Sequence, residues 1–341
     1  MFNFRNDYSC VAHKEVLKHL LEISEEKNVG YGLDIHTLNA KNLIKDKLNN
    51  KDVDVHFLVG GTQTNMVVIS TLLKPYEAVI AVNTGHINVH ETGAIEGQGH
   101  KILTVQGKDG KILPEEVEKV VLGHPDMHMV KPKMVYISNT TEVGTFYSKS
   151  ELEQLRNVCD KYGLYLFMDG ARLASALACS DFSYEDLANL LDVFYIGGTK
   201  NGGFIGEALV LVNKSLQTDF SYAVKHYGAL LAKGFVCGAI FEVLMNGDFY
   251  LNIGKHENDC AYILSTKLKE LGVNFLTESA TNQVFPIFSD EFLTKLEKHC
   301  SYEIIEKIDK YNTCIRFVTG FETSKEECYE FVDLIKVLLA K

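Results

Sequence analysis

The chain has 341 residues, and its 34 Lys and Arg against 45 Asp and Glu give a formal net charge of −11 at pH 7. This acidic balance argues against a nucleic-acid-binding protein, which would present a basic surface to phosphates. Hydrophobic residues make up 46% and charged residues 23%, which is typical of a globular protein with a large core and excludes disordered and fibrous classes.

Targeting signals are the next feature of the chain. No apolar run approaches the roughly 20 residues that cross a bilayer, and the first residues do not have the pattern of a secretory leader. The eight cysteines are scattered, with no C-x-x-C pair, which indicates free thiols in a reducing compartment. We therefore expect a cytoplasmic protein that has no membrane partner.

Short apolar runs alternate with helix-like segments from about residue 54 to residue 212. The runs are continuous and rich in β-branched and aromatic residues, which predicts buried strands of a mainly parallel sheet covered on both faces by helices. Helical spacing runs from Ser148 to Tyr162, and Ser148 with Glu151 forms a capping box at its start. The predicted strands are 55–59, 78–82, 134–138, 164–168, 193–196 and 208–212.

The alternation of short apolar runs with helix-like segments ends after about Gly247. A long helix is predicted over 258–271, then strands over 273–276, 283–288 and 314–318, and a last helix from Ser324. A chain this long exceeds the roughly 250 to 300 residues at which one core stops growing, so two domains are expected. We predict a large α/β domain over residues 1–246 and a smaller α+β domain over residues 247–341, packed without a flexible linker.

Four segments at predicted strand ends hold polar residues, and open α/β sheets bind ligands at such ends. The first contains Gly60, Gly61 and Thr62 and opens a helix predicted over 66–73. Its glycines and free N–H groups suit a phosphate. The spacing fits neither a Walker A loop nor G-x-G-x-x-G, so a plain strand-to-helix turn stays open as the alternative.

The second segment contains His86 and His90, which stand four residues apart. That spacing permits a metal pair on a helix, but no third ligand is evident, and no metal site is predicted. Because His86 directly follows a strand and a glycine, its ring is better suited to lie against a planar ligand.

The third and fourth segments supply an acid and an amine. Asp169 ends a wholly apolar strand, where an ionised carboxylate needs a favourable partner; an N-cap or a pair with Arg172 is the structural alternative. Lys200 lies in a glycine-rich turn after another apolar strand. Such a lysine readily has its pKa lowered and can serve as a Schiff-base partner.

Together the four segments match what pyridoxal phosphate requires. This cofactor needs a phosphate cup, a group to stack on its ring, a carboxylate at the pyridine nitrogen and a lysine for the Schiff base. The chain offers these in the order Gly60 to Asn65, His86, Asp169 and Lys200. We therefore predict pyridoxal 5'-phosphate as the cofactor.

At these residues the sequence resembles the low-specificity L-threonine aldolase and β-eliminating lyase family, which are fold-type I pyridoxal-phosphate enzymes like aspartate aminotransferase. The resemblance runs over nearly the whole chain. Its most specific blocks are His86-Ile87 with Glu91 and Gly93, then Asp169-Gly170-Ala171-Arg172, then Gly198-Thr199-Lys200.

The resemblance implies a role for each matching residue. Lys200 would form the Schiff base, Asp169 would bond the pyridine nitrogen, and His86 would stack on the ring. The base that takes the β-hydroxyl proton would be His86 or a water that it orders. The phosphate-binding residues would be Gly61, Thr62 and Thr199.

The resemblance also implies how a small amino-acid substrate is held. Arg172, beside the cofactor, and Arg316 would grip the substrate α-carboxylate, although a structural ion pair is the alternative for Arg316. Tyr31 would reach the neighbouring subunit's site in a homodimer or homotetramer, and Lys233 is a weaker candidate for the same role.

The reaction implied is retro-aldol cleavage of a β-hydroxy-α-amino acid to glycine and an aldehyde. Two positions depart from the family pattern: Tyr8 stands where a Ser or Thr is usual, and Thr141 and Glu142 lie where a His often helps hold the β-hydroxyl side. Elimination or transamination of another amino acid, or a non-catalytic cofactor-binding protein, therefore stays open.

Overall fold

The structure is a computed structural model that describes residues 1–340. The strands are β1 (Phe2–Asn3), β2 (Asp54–Leu58), β3 (Glu77–Val82), β4 (Ile102–Val105), β5 (Lys131–Ser138), β6 (Tyr165–Asp169), β7 (Val193–Gly197), β8 (Glu207–Leu211), β9 (Asn274–Phe275), β10 (Gln283–Val284), β11 (Pro286–Ser289), β12 (Cys300–Ser301), β13 (Glu303–Lys307) and β14 (Asn312–Val318). The α-helices are α1 (Lys14–Glu22), α2 (Ile35–Lys47), α3 (Gly61–Leu72), α4 (His86–Val89), α5 (Pro114–Leu122), α6 (Lys149–Tyr162), α7 (Leu173–Cys179), α8 (Tyr184–Leu190), α9 (Phe220–His226), α10 (Phe235–Leu244), α11 (Phe249–Glu270), α12 (Asp290–Leu296) and α13 (Lys325–Leu339).

A seven-stranded sheet forms the centre of the molecule, in the order β2-β8-β7-β6-β5-β3-β4. Every strand runs in the same direction except β8, which is antiparallel to both of its neighbours. All residues of β3, β7 and β8 are buried, as expected for strands covered on both faces. The predicted mainly parallel sheet is confirmed, and the sequence reading missed only its edge strand β4.

A smaller antiparallel sheet is built around β14. Thr313 on this strand pairs with Phe288 of β11 and with Lys307 of β13, so β14 has a neighbour on each edge. Helices α11 and α13 pack together and contribute to its core, which includes Leu264, Phe317 and Phe331. This confirms a second α+β part in the C-terminal region.

The N-terminus packs with this second part. Strand β1 pairs in parallel with β12, and the fully buried Phe4 lies in the same core cluster as residues of α11 and α13. Helix α11 contributes Tyr250 and Ile253 to the core of the large sheet, and Leu264 to the second core. A division of the chain after residue 246 stays a prediction.

Several predicted boundaries change in the structure. Helix α3 starts at Gly61 rather than Met66, so Thr62 lies in its first turn. Helix α11 starts at Phe249, nine residues before its predicted start. The capping box of Ser148 and Glu151 is confirmed.

Two further expectations concern the whole chain. All eight cysteines, which all fall within residues 1–340, are free, as predicted. Over the same residues, no helix combines the length and the apolar character needed to cross a membrane.

Candidate active site

A cavity of about 510 Å³ opens where the central parallel strands end. Strand β6 ends at Asp169, β7 ends three residues before Lys200, and β3 ends four residues before His86. The carboxyl ends of parallel strands meet at one edge of the sheet, which brings these distant residues together. Five of the predicted site residues line this cavity: His86, Asp169, Arg172, Lys200 and Arg316.

The carboxylate of Asp169 is buried and held by four hydrogen bonds. Tyr195 donates its hydroxyl to Oδ1 over 2.5 Å, and Tyr136 donates to Oδ2 over 2.7 Å. The side chain of Asn65 and the backbone N–H of Ala171 donate the other two. Burial alone would raise the pKa of Asp169, but the charge of His86 and these donors hold that pKa below its ordinary value.

Asn65 connects Asp169 to His86. Its amide nitrogen also donates to Oε1 of Glu91 over 2.7 Å, and the same oxygen lies 2.8 Å from Nδ1 of His86. Burial lowers the pKa of His86, but the bond to the fully buried Glu91 and the charge of Asp169 raise it overall. The His86 ring is thereby fixed in orientation at the edge of the cavity.

Lys200 lies in a turn that its glycines make possible. The N–H groups of Gly198 and Thr199 both donate to the carbonyl of Gly206, and the N–H of Gly203 donates back to Gly198. A Cβ at Gly198 would lie 2.5 Å from the Gly206 oxygen, so no larger residue fits there.

The amine of Lys200 faces a site that disfavours its charge. Burial, and then the positive charge of Arg172, lowers the pKa of Lys200, although Asp7, Asp169 and Glu207 act in the opposite direction. A lysine with a lowered pKa is more often neutral and is therefore a better nucleophile toward an aldehyde.

Arg172 does not pair with Asp169, one of the alternatives that the sequence left open. Its Nε donates to Oδ2 of Asp7 over 2.6 Å and its Nη2 donates to Oδ1 over 3.1 Å. Asn282 adds a third bond to the fully buried Asp7.

Arg316 has no such partner. Its Nη1 donates to the side-chain oxygen of Gln283 over 3.2 Å, whereas its buried Nε has no hydrogen-bond partner within residues 1–340. No ion pair holds Arg316 in that part of the chain, which argues against the structural alternative. Burial and the nearby positive charge of Arg172 lower the pKa of Arg316, so an additional negative charge would stabilise its guanidinium. A carboxylate entering the cavity would supply it.

Gly61, Thr62 and Thr199 do not line this cavity but lie close to it in structure. Gly61 and Thr62 begin α3, whose first N–H groups have no side-chain cap. A Cβ at Gly61 would come 2.9 Å from the hydroxyl of Tyr195, the residue that bonds Asp169. The buried hydroxyl of Thr199, next to Lys200, has no partner within residues 1–340. Unpaired donors at a helix start beside a lysine fit a phosphorylated ligand.

Tyr31 and Lys233 lie outside the cavity. The N–H of Tyr31 donates to the carbonyl of Ala232, so the two predicted residues are near each other. Tyr31 is half exposed and has a φ of 63°, in the left-handed region. Their role toward a neighbouring subunit stays a prediction.

The sequence reading missed several residues that hold the site. Tyr136 and Tyr195 were interpreted only as members of apolar strands, and nothing in their pattern distinguishes them from core residues. Glu91 is named in the sequence analysis only as part of a family-like block, and Asp7 has no predicted role there. Glu142, one of the departures from the family pattern, lines the cavity. Its carboxylate accepts hydrogen bonds from the backbone N–H of His86 over 3.0 Å and from the Ser138 hydroxyl over 2.6 Å.

The sheet topology and the Asp169–Lys200 site define a pyridoxal-phosphate-dependent lyase of fold type I. The chain belongs to the β-eliminating lyase family, which matches residues 3–291. The predicted family, fold class and cofactor are thereby confirmed.

Three known proteins illustrate the similarity. A low specificity L-threonine aldolase from a Pseudomonas species is 35% identical over 272 residues, which cover 78% of each protein. The structure of a Leishmania major threonine aldolase matches with 43% identity and a TM-score of 0.98, over 99% of this chain and all of that chain. A double mutant of Thermus thermophilus aspartate aminotransferase is 14% identical, covers 99% of this chain and 91% of that chain, and has a TM-score of 0.72, which shows a shared fold alone.

Proposed function

We propose that this lyase cleaves the Cα–Cβ bond of β-hydroxy-α-amino acids, with L-threonine as the reference substrate, to give glycine and an aldehyde. The observation that carries the proposal is the incompletely paired guanidinium of Arg316 in the same cavity as Lys200 and Asp169. That arrangement suits a substrate with an α-carboxylate and an α-amine. The threonine aldolases among its relatives support the choice of reaction.

The cofactor supplies an electron sink: pyridoxal phosphate, when bound, delocalises the electron pair left on Cα when the bond to Cβ breaks. Lys200 would provide the amine that holds the cofactor aldehyde and later yields it to the substrate amine. Asp169 would keep a proton on the pyridine nitrogen, and its lowered pKa ensures that it is ionised. The His86 ring, fixed by Glu91, would lie against the cofactor ring.

The two arginines would orient the substrate. Arg316 would bind the α-carboxylate, with Arg172 beside it and held in place by Asp7. The bond that breaks must stand perpendicular to the cofactor ring, so the position of the carboxylate decides which bond of Cα is cleaved.

Cleavage also requires removal of the β-hydroxyl proton as the aldehyde C=O forms. Two titratable groups that line the cavity are candidates to exchange this proton, the His86 ring and the Glu142 carboxyl. Burial raises the pKa of Glu142, and the charge of Asp169 adds to this effect. A carboxyl group with a raised pKa takes up a proton more readily than an ordinary carboxylate and can return it later. We assign the exchange of the β-hydroxyl proton to Glu142, whose carboxylate accepts a hydrogen bond from the backbone N–H of His86.

The cavity also has apolar lining residues. They are Val89, Val143, Ile304 and Ile305, of which Ile304 is largely exposed. Such a wall contacts a hydrocarbon side chain without selecting its length, which favours a broad range of aldehydes.

We also propose a cytoplasmic homodimer or homotetramer in which Tyr31 and Lys233 approach a neighbouring active site. Between residues 11 and 38, eight large apolar side chains are exposed, which is a concentration that suits an interface with a second copy. They are Val11, Leu17, Leu21, Val29, Tyr31, Leu33, Ile35 and Leu38.

The experiment that tests the proposal is product analysis with purified enzyme, pyridoxal phosphate and L-threonine. We expect glycine and acetaldehyde in equal amounts, and neither from Lys200→Ala. The variant Lys214→Ala, at an exposed lysine paired with Asp52, serves as the control and should behave as the parent. Formation of a 2-oxo acid with ammonia would replace the aldolase by an eliminating enzyme, and cofactor binding without any product would indicate a non-catalytic protein.

A further inference from the structure

A second group of metal-ligating side chains lies outside the active-site cavity. His19 on α1, His36 on α2 and Glu242 on α10 each place a ligand atom within 4.8 Å of the other two. Among residues 1–340, no other set of three His, Cys, Asp or Glu side chains meets this spacing. The group therefore joins three helices from separate parts of the chain.

The distances are close to those of a first-row metal site. Nε2 of His19 lies 3.3 Å from Oε2 of Glu242, and Nδ1 of His36 lies 2.6 Å from the same oxygen. Ligands bound tetrahedrally at about 2.0 to 2.1 Å from zinc are roughly 3.3 Å apart. The first distance already fits, and the second must open by about 0.7 Å, which a rotation of the partly exposed Glu242 carboxylate can provide.

The side chains that surround the three candidate ligands also support a metal site. The outward nitrogen of His36, Nε2, lies 2.8 Å from the carboxylate of Glu26, which leaves Nδ1 toward Glu242. A carboxylate behind a histidine is the usual support of a metal-bound imidazole. The remaining oxygen of Glu242 accepts a hydrogen bond from Asn39 over 2.7 Å, and Nδ1 of His19 lies 3.9 Å from Glu22. His36 and Glu242 thus each have a hydrogen-bonded orienting partner, whereas Glu22 lies near the outward nitrogen of His19 without a hydrogen bond to it.

The surroundings suit a cation with one open position. His19 and Glu242 line an open cleft of about 600 Å³ beside the group, so water can reach it. Glu15 and Glu22 line the same cleft, against the single positive charge of Lys18. Their negative charge favours a divalent cation.

We propose that His19, His36 and Glu242 bind a zinc ion, with water as the fourth ligand. Two histidines, one carboxylate and an open position are a common zinc set. Bound zinc would fasten α1 and α2 to α10 and so hold the N-terminal segment that carries Tyr31. This inference does not depend on the proposed aldolase activity.

A proton is the competing occupant of the same space. Burial lowers the pKa of His36, but its bonds to Glu26 and Glu242 raise it overall, so a protonated ring can also bridge the two carboxylates. A protonated bridge requires only His36, whereas the zinc site requires His19 as well. The two occupants are therefore distinguished by variants at His19.

The test uses the holoenzyme freed of excess cofactor, treated with chelator and dialysed against micromolar zinc chloride. We expect one zinc per chain by elemental mass spectrometry, and a melting temperature that rises with zinc. His19→Ala should abolish both effects, and Glu26→Gln should weaken zinc binding by about 10- to 100-fold, as is typical for an orienting carboxylate.

Two controls separate this site from general metal binding. His56→Ala removes a histidine that also contacts a carboxylate, Asp54, but has no third ligand, and Glu25→Gln alters the exposed neighbour of Glu26. Both should bind zinc as the parent does, and circular dichroism together with the absorbance of bound pyridoxal phosphate confirms that every variant folds. The proposal is wrong if the parent binds no zinc, or if His19→Ala binds it as tightly as the parent.

Discussion

Asp7 holds the guanidinium of Arg172 by two hydrogen bonds, so a residue near the N-terminus positions a group of the active site. Asp7 is fully buried, and the side chain of Arg172 is only 12% exposed. Arg172 is therefore already neutralised before substrate arrives, whereas Arg316 is not. On the proposed function, this difference would give the two arginines separate roles: Arg172 as a fixed part of the cavity wall and Arg316 as the main ligand of the substrate carboxylate.

Replacing Asp7 should affect stability as well as binding. Asp7→Asn keeps the shape but leaves a buried guanidinium without a counter-charge, which typically costs about 3 to 5 kcal/mol. We expect a loss of this size in urea unfolding, together with a higher KM for L-threonine. Asp52→Asn, in an exposed pair with Lys214, is the control and should lose less than about 1 kcal/mol.

The same pair should contribute to acid sensitivity. Burial raises the pKa of Asp7, but Arg172 and Lys200 lower it below its ordinary value of 3.8. Its stabilising contribution is therefore present above pH 3.8 and is lost as the pH falls through the lower folded pKa. An unfolding curve in which Asp7→Asn has the same acid limb as the parent would contradict this.

Arg316 is the residue whose replacement should act mainly on substrate binding. A charge-assisted bidentate contact contributes about 1.5 to 3 kcal/mol, so Arg316→Gln should raise KM for L-threonine roughly 10- to 100-fold. Arg316→Lys should restore only part of this, because an ammonium cannot make the paired contact. Steady-state kinetics measure the effect, and Arg5→Gln, whose side chain is exposed beside Glu303, is the matched control.

Glu142 should act on cleavage but not on chemistry that lacks a β-hydroxyl group. Glu142→Gln should lower kcat for L-threonine by about 10² to 10⁴, the range for loss of an acid–base group. Exchange of the α-proton of glycine with solvent involves no β-oxygen and should stay within a few-fold of the parent. Equal losses in both assays would show that Glu142 only maintains the structure.

Glu207 should make the stability of the protein fall between about pH 4.5 and pH 8. It begins β8, accepts a hydrogen bond from the N–H of Gly198, and burial raises its pKa to about 8. Because the folded pKa is raised, stability is highest below the ordinary pKa of 4.5 and falls as the pH rises toward 8.

Glu207→Gln should remove this dependence. At pH 9 the variant should be more stable than the parent by on the order of 5 kcal/mol, at about 1.4 kcal/mol per pKa unit. Urea unfolding of the holoenzyme at pH 5 and pH 9 measures this, with Glu153→Gln at an exposed position as the control. A variant less stable than the parent at pH 9 would contradict the raised pKa.

The sequence was sufficient to predict the residues whose neighbours along the chain explain them. Lys200 follows a buried strand within glycines, and Asp169 ends another, so periodicity and turn chemistry together located both. The same reasoning could not predict the partners of Asp169, because Tyr136 and Tyr195 occupy strand positions where an aromatic residue is ordinary. Only the pairing of β5, β6 and β7 in the structure shows that the hydroxyls of Tyr136 and Tyr195 both reach the carboxylate of Asp169.

Contacts between residues far apart in the chain could not be predicted from the sequence either. Asp7 lies 165 residues from Arg172, and Glu242 lies 206 residues from His36, so no local spacing indicates either pair. The start of α11 was predicted too late because Leu251, not Glu or Gln, stands three residues after the N-cap residue Asp248, so no capping box marks it, and Asp248 makes no side-chain cap bond in the structure. Helix ends without caps leave little signal in a sequence.

Helix α11 lies directly against the backbone of α7, which begins one residue after Arg172. A Cβ at Gly254 would come within 2.1 Å of the Ala174 carbonyl, so only glycine permits this approach. The other half of α11 supports the sheet that carries Arg316. Its 22 residues form a single helix about 33 Å long, which connects the two parts of the molecule that carry the arginines. Laboratory evolution toward new aldehydes should accordingly select substitutions along this helix, remote from the reacting atoms, because a small tilt there changes the separation of the two arginines.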